Sequence, residues 1–361
     1  MYNNSHHIEN LLKKVTSIKD QYQISLLTNT ANKTKAIQQK TLHDSDYHEF
    51  LSVKEYVEIL KGIEQAGFHT HTYFNELEFI HQTLEEAYYQ HRQIVYNLAH
   101  NGNFVGKKSL IPSFCDLLSI PYIGSNAWVS SFCKARYMYS KYAIAHGIKT
   151  PKSWVYSSDD TWFNNDSPMH GQKIIVKPLY EFALTSWGEK PIFKYDAKTF
   201  KDGLHQTKLK EQYPRSTQWL VQEYISGYDC EVPLFIDQKP IDLAIVGVFI
   251  HRVTAVKTNL LMSEGLYHYD FYDIHSILKK EQIDCISVTA RTIAQLIGLR
   301  HYGKINFRID NQGDIYLLDI DSSPQTTKHS SFDYTFKQLG FKNSDIYACI
   351  IAMACEQMVT C

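Results

Sequence analysis

The stretch KINFRIDNQGDIYLLDIDSSP, Lys304 to Pro324, decides the reading of this chain. In its first half Lys304, Asn306, Arg308 and Asp310 alternate with Ile305, Phe307 and Ile309. Successive side chains of a strand point to opposite faces, so the polar groups share one face and the apolar groups the other. Asn311 to Asp314, with Gly313 among them, supplies a turn, and the pattern predicts a second strand running back beside the first. That strand ends in Asp319-Ile320-Asp321, two carboxylates on one face. Oxygen ligands of this kind suit magnesium, which keeps several waters and leans on one or two carboxylates plus substrate phosphates. An ordinary solvated hairpin with alternating charge has the same local pattern.

Two segments upstream carry related signals. In IIVKP, Lys177 ends an apolar strand ahead of Pro178, within reach of a nucleotide phosphate if the strand borders a site; lysines at strand ends are otherwise common on surfaces. In WLVQEYISGYDCEV, Trp219 to Val232, an apolar strand runs into Gln222 and Glu223, then a glycine, then Asp229 and Glu231. Exposed backbone groups of such a strand can read an adenine edge, and a carboxylate just beyond can take ribose hydroxyls. Taken alone, this is a strand followed by a polar turn.

Working outward, the first third alternates strands and helices. YQISLLTN, FHTHTYF and QIVYNLA read as strands, with helical periodicity over Val53 to Ala66 and Glu76 to Gln90. That alternation predicts a mostly parallel sheet with crossovers. A helix is expected over Ser130 to His146, stopped by Gly147, then strands SWVYSS and KIIVKP. The last section carries strands EVPLFID and IDLAIVGVFIHRV before the hairpin, and helices over Ile283 to Leu296 and Ser344 to Met358. Boundaries fall near 125 and 216, giving three units: 1–125, 126–215 and 216–361.

The bulk numbers exclude several classes. The chain of 361 residues is 44% hydrophobic and 21% charged, ordinary for a globular protein. A formal net charge of -1 gives no electrostatic reason to expect nucleic acid or an anionic membrane surface as partner. The seven cysteines show no pairing pattern, and Cys115, Cys133, Cys230 and Cys285 sit in apolar or strand-like runs, which suggests a reducing compartment. MYNNSHHIENLLKK lacks the features of a secretion signal, and no stretch approaches the roughly 20 apolar residues of a membrane helix. A cytoplasmic location is expected.

Arg136, Lys177, Asp229 and the Asp319/Asp321 pair occur in the order of one particular nucleotide site. On these residues the chain resembles the ATP-grasp superfamily, and within it the D-alanine–D-alanine ligase branch, over about residues 93 to 361. LLSIPYIGSNAWVSS is similar to the stretch leading out of that branch's first domain, and CKARYMYSKYAIAHGIKTP to its lysine-bearing helix. The resemblance implies a mixed α/β and α+β ATP-grasp fold: an N-terminal Rossmann-like parallel-sheet domain and two α+β subdomains clamping ATP. It places Arg136, or Lys134 nearby, and Lys177 on the phosphates, with Glu181 opening the loop that covers them. Gln222 and Glu223 fall beside the adenine amino group, Tyr224 and Ile225 at its edge, and Asp229 on the ribose. Asn306, Asp319 and Asp321 fall on the metal positions for what should be two magnesium ions, and Ser330 where a substrate carboxylate is held.

This sequence departs from the branch in several places. The metal positions usually read aspartate, glutamate, asparagine, whereas here an amide and an acid are exchanged and the ligand charge survives. Lys304 stands where an arginine steadies the tetrahedral intermediate, keeping the charge without the bidentate fork. YEFALTSWG has a single glycine, Gly188, where a flexible glycine-serine loop is expected. The stretch Tyr267 to Asp273 aligns loosely with a substrate-covering loop without its lysine, and Gln325 replaces a glycine. The nucleotide half is kept while the substrate half has changed, so D-alanine need not be the substrate.

The resemblance implies an ADP-forming carboxylate–amine ligase working through an acyl phosphate, with Lys304, Arg308 and Ser330 as its catalytic set. Its substrates are expected to be small molecules, amino acids or short peptides, and a homodimer is implied by resemblance only. Other carboxylate-activating ATP-grasp chemistry, or nucleotide binding without catalysis, remain open at this point. Other signals are weaker. GNFVGKKS has the wrong spacing for a Walker loop, and Lys107 or Lys108 is better placed to meet an anion in the first substrate pocket. His69 and His71 share a strand face without a completing ligand, and His6 and His7 lie in a polar terminus; the resemblance sets Glu49 where the first substrate's amine is received, and an acid opening a helix explains it equally well.

Overall fold

The computed structural model describes residues 2–30, 50–85, 93–100, 105–180, 192–206, 216–250 and 269–359. Three sheets organise it. The first contains β1 (Gln23–Thr28), β2 (His69–Tyr73), β3 (Gln93–Leu98) and β4 (Tyr122–Ile123), all parallel in the order β2-β1-β3-β4. β1 and β3 read as continuous apolar runs because both their faces are covered. Ile24, Leu26, Ile94 and Tyr96 face a cluster shared with the helices Val53–Gln65 and Asn343–Val359, while Leu27 and Val95 meet Phe79, Ile111 and Cys115 on the other side.

The helix Val53–Gln65 starts where Ser52 and Glu55 form a reciprocal capping box. It buries Ile59 and Ile63, and Gly62 lets the Tyr347 ring approach, since a Cβ there would lie 2.3 Å from Tyr347 Cε2. The polar N-terminal stretch proves to be a helix too, Tyr2–Ile18. Its few apolar residues Ile8, Leu11 and Val15 recur on one face and enter the same core, so a sparse amphipathic pattern suffices once a partner surface exists. His7 in this helix lies 3.6 Å from the Asp237 carboxylate, so it is not idle.

The second sheet is antiparallel, order β5-β8-β6-β7, from β5 (Ser153–Ser157), β6 (Lys173–Pro178), β7 (Ile192–Lys194) and β8 (Gln218–Glu223). Trp154, Ile174, Val176, Trp219 and Val221 bury one face against Phe200 and Leu204 of the helix Phe200–Gln206. The third sheet holds β9 (Gly227–Asp237), β10 (Lys239–Asp242), β11 (Val246–Ile250), β12 (Tyr269–Asp273), β13 (His301–Asp310) and β14 (Ile315–Asp321). Its path is β12-β11-β9-β13-β14, with β10 paired to β9. Val232, Leu234, Ile305, Phe307, Ile309 and Ile320 pack on Ile286, Ala290, Ile293 and Ala294 of the helix Lys280–Ile297; the opposite face buries Phe235 and Tyr302 in the first core and carries Glu231, Lys304, Asn306 and Arg308 beyond them.

Two expectations are corrected. The helix expected over Ser130 to His146 is two, Ala127–Phe132 and Arg136–Ala145. No glycine or proline marks the break; the turn buries Cys133 and restarts the helix at Arg136 from a non-helical Ala135 at φ -87, ψ 70. Cys285 is exposed on its helix, while Cys115, Cys133, Cys230, Cys349 and Cys355 are buried free thiols. No helix of the described residues is long and apolar enough to cross a membrane.

Candidate active site

The polar face of β9, β13 and β14 is built by register. Asn306 stands opposite Asp319 on one side and Glu231 on the other, and Lys304 stands opposite Asp321. Strict alternation would put Leu317 on the face of Asp319 and Asp321. A β-bulge between the pairs Asn306–Asp319 and Phe307–Leu317 shifts the phase, so that Leu317 and Ile320 both enter the core and both aspartates face the site. The spacing of three between those two buried residues is the sequence trace of the bulge.

The Asn306 side-chain oxygen is buried and has no hydrogen-bond partner. Such an atom normally costs stability unless something else fills its lone pairs. Its neighbours are a carboxylate on each adjacent strand, so a hard cation is the partner whose chemistry fits. Among the described residues no three His, Cys, Asp or Glu side chains gather as a metal site by themselves.

Several elements converge on the two aspartates. The Tyr139 hydroxyl donates to Asp319 Oδ1 at 2.7 Å and contacts the Leu318 carbonyl at 3.2 Å. Arg136 Nε, one helical turn before Tyr139, lies 3.7 Å from the same carboxylate oxygen. Lys108 Nζ, from the short turn Val105–Lys108, lies 3.8 Å from Asp321 Oδ1 and is 8% exposed. Burial pushes the Asp321 carboxyl up, but Lys108, Lys304 and the Ser323 N–H outweigh it and hold the group below the ordinary carboxylate range.

Facing them, Lys177 on β6 donates to Gln222 Oε1 at 3.3 Å, and Gln222 in turn donates to Ser153 Oγ at 3.1 Å. Burial, reinforced by Arg136, pushes the Lys177 ammonium down to about 8. Gln222 is thus a buried strut for Lys177, 3% exposed, rather than an open side chain. Farther along β13, Arg308 grips Asp229 with two bonds, Nε to Oδ1 at 2.7 Å and Nη2 to Oδ2 at 2.5 Å, and donates through Nη1 to the Ile225 carbonyl at 2.9 Å. The Tyr224 ring lies under both Lys173 Nζ at 4.2 Å and the Arg308 guanidinium at 5.5 Å. Ile225 and Asp229, beyond the end of β8, are thereby tied to β13 through Arg308.

Most of the expected residues meet at this face. Lys304, Asn306, Arg308, Asp229, Asp319 and Asp321 share the third sheet, and Arg136 and Lys177 come from two other elements. Lys134 lies in the turn before Arg136 and adds to the positive field on Asp321. Glu223 is half-buried at the end of β8. Ser330 is the N-cap of the helix Ser331–Gln338, its Oγ accepting the Asp333 N–H at 3.1 Å. Tyr269–Asp273 forms edge strand β12, with the Tyr269 hydroxyl donating to the His329 carbonyl at 3.1 Å. Gln325 reaches the helix Val53–Gln65 through Glu55 at 3.1 Å. His69 and His71 are exposed on β2. Glu181, Gly188, Glu49, Tyr267 and His268 lie outside the described residues. The sequence reading names Glu231 beside Asp229 without a role and leaves out Tyr139 and Ser153, although Tyr139 follows Arg136 at helical spacing and Glu231 follows Asp229 at strand spacing.

One antiparallel sheet thus carries Lys177 and the other an acid-amide-acid row, Asp319, Asn306 and Glu231. Residues 201–352 match the family model described as D-ala D-ala ligase C-terminus. The D-alanine–D-alanine ligase of Azoarcus sp. (strain BH72) is 21% identical over 307 residues, covering 82% of this chain and 90% of that protein. The crystal structure of the D-alanine–D-alanine ligase from Bacillus anthracis complexed with ATP superposes at a TM-score of 0.68 and 15% identity, covering 94% of this chain and 98% of that one. The VanG D-Ala:D-Ser ligase of Enterococcus faecalis gives 0.65 and 15%, covering 92% and 99%. The chain thus shares the fold of these ligase structures, and its residues 201–352 resemble the C-terminal part of the D-alanine–D-alanine ligases.

Proposed function

We propose that this chain uses ATP to phosphorylate a small carboxylate, an amino acid or short peptide, and passes the acyl group to an amine. The observation that carries this reading is the row Asp319–Asn306–Glu231 beside Asp321, with the buried Asn306 oxygen left without a partner. Asp319, Asn306 and Asp321 are the residues that would hold magnesium, expected as two ions. Magnesium supplies charge neutralisation and orientation of phosphate oxygens there.

The chain's own groups do the remaining work. Lys177 and Arg136, with Lys134 and Glu181 nearby in sequence, surround the triphosphate. Because Lys177 titrates near 8 in the free protein, an arriving polyphosphate raises its proton affinity and the complex takes up a proton at mildly alkaline pH. The backbone of Tyr224 and Ile225, beside Gln222 and Glu223, takes the adenine edge. Asp229 keeps outer carboxylate lone pairs for ribose hydroxyls after its two bonds to Arg308. Tyr139 holds Asp319 in one orientation. Phosphoryl transfer needs positioning and electrostatics more than covalent help, and the Lys304 ammonium is the group suited to the oxyanion formed as the amine attacks.

The shared fold of relatives whose names specify D-Ala or D-Ser as acceptor leaves the acceptor open for this chain, and a homodimer and a cytoplasmic location belong to the same proposal. The test is phosphate release from ATP and magnesium across paired L- and D-amino acids, with products identified by mass. Release that depends on both partners, with a condensed product, supports the ligase. ATP hydrolysis or release indifferent to the second partner would overturn amide formation.

A further inference from the structure

Glu231 closes the acid-amide-acid row but is not among the residues assigned to magnesium above. Register puts it opposite Asn306 on β13 and Val246 on β11. Lys304 stands one row along, opposite Asp321 on β14 and Pro233 on β9. Pro233 offers no acceptor side chain, and Lys304 Nζ donates along the diagonal to Glu231 Oε1 at 2.7 Å. Both side chains are mostly enclosed, at 18% and 15% exposure, so the contact is shielded from competing water.

We infer that Glu231 is a positioning residue: it aims the Lys304 ammonium at the reacting centre and keeps it from closing onto Asp321. The inference rests on the role proposed for Lys304 in the ligase reaction. A lysine carries a compact charge on a flexible four-carbon stem, whereas an arginine fork arrives preorganised. Of its three donors, one goes to Glu231 and two remain for an oxyanion. Without Glu231 the directly opposed acid is Asp321, a residue proposed to bind magnesium. Lys304 would then move off the reacting centre and compete with the metal for its ligand. Glu231 thus separates the two neighbouring charges, giving Lys304 its own partner and leaving the Asp321 oxygens open.

The experiment compares the full chain with Glu231→Gln, Glu231→Asp, Lys304→Met and the double variant Lys304→Met/Glu231→Gln. For Glu231→Gln, kcat should fall about 10–100-fold while the KM for ATP stays within about twofold, the signature of a misplaced reacting group. Glu231→Asp should recover part of the loss, and the double variant should be no slower than Lys304→Met alone. A wild-type kcat in Glu231→Gln, or losses that multiply in the double variant, overturns the inference. A second readout does not depend on turnover: the Lys304 ammonium resonance, assigned by its loss in Lys304→Met, should be visible by nitrogen-15 NMR in the wild type and vanish in Glu231→Gln. If no substrate pair releases phosphate, the ligase reading fails on its own. The resonance then still decides the Glu231–Lys304 link, since its persistence in Glu231→Gln refutes it.

Discussion

Replacing Lys177 with methionine should stabilise the free protein while weakening nucleotide binding. The folded chain holds this ammonium, half-buried by accessible surface, near Arg136, and its proton affinity drops from the ordinary 10.5 to about 8. Full conversion of that drop corresponds to about 3 kcal/mol. The side chain retains some contact with solvent, which discounts the penalty to about 1–2 kcal/mol. Methionine keeps an unbranched chain without charge but loses the bond to Gln222, an offset of about 1 kcal/mol that does not vary with pH. The sign follows from proton binding. Between pH 8 and 10.5 the unfolded chain holds the Lys177 proton more tightly than the folded one, so wild-type stability rises through that window relative to the variant. The burial penalty is fully present below about pH 8 and gone above the unfolded value. Urea denaturation of both proteins at neutral pH and near pH 10 reads it directly. Lys177→Met should gain on the wild type at neutral pH by about 1–2 kcal/mol more than at the alkaline end. A stability difference that is the same at both pH values would refute the reasoning, whatever its sign.

Tyr139→Phe removes the hydroxyl that orients Asp319, and should weaken magnesium binding about 10-fold with little change in melting temperature, as measured by metal titration of phosphate release. Arg308→Lys keeps the charge but loses the fork on Asp229 and the bond to the Ile225 carbonyl. ATP affinity should fall about 10-fold by equilibrium dialysis, with stability lowered by about 1–2 kcal/mol. Unchanged ATP affinity would remove the strand end around Asp229 from the nucleotide site. Gly62→Ala drives a methyl against the Tyr347 ring in the shared core, and should cost about 1–3 kcal/mol in urea without altering the KM for any substrate.

The hairpin Lys304 to Asp321 was legible because its alternation has period two and its turn carries Gly313, both local properties. The parallel sheet was legible for the same reason, since buried strands announce themselves as short apolar runs between helices. Side-chain roles that depend on a distant partner were less so. Gln222 has the look of a ligand-facing amide in WLVQEYI, yet its oxygen serves Lys177 and its nitrogen donates to Ser153, a residue 69 positions away.

By itself the sequence determined which residues could share a face: polar against apolar positions on β13, two aspartates at the end of β14, lysines at the edge of β6. It also determined the order of those groups along the chain, on which the resemblance to the ATP-grasp ligases rests. Tertiary structure alone decided which of them meet. The bulge that turns both aspartates toward Asn306, the helix break that brings Arg136 and Tyr139 onto Asp319, and the diagonal from Lys304 to Glu231 join segments up to 180 residues apart. Local propensity contains no term for such contacts: their energy comes from burial and charge pairing that exist only after the sheets and helices have closed on one another.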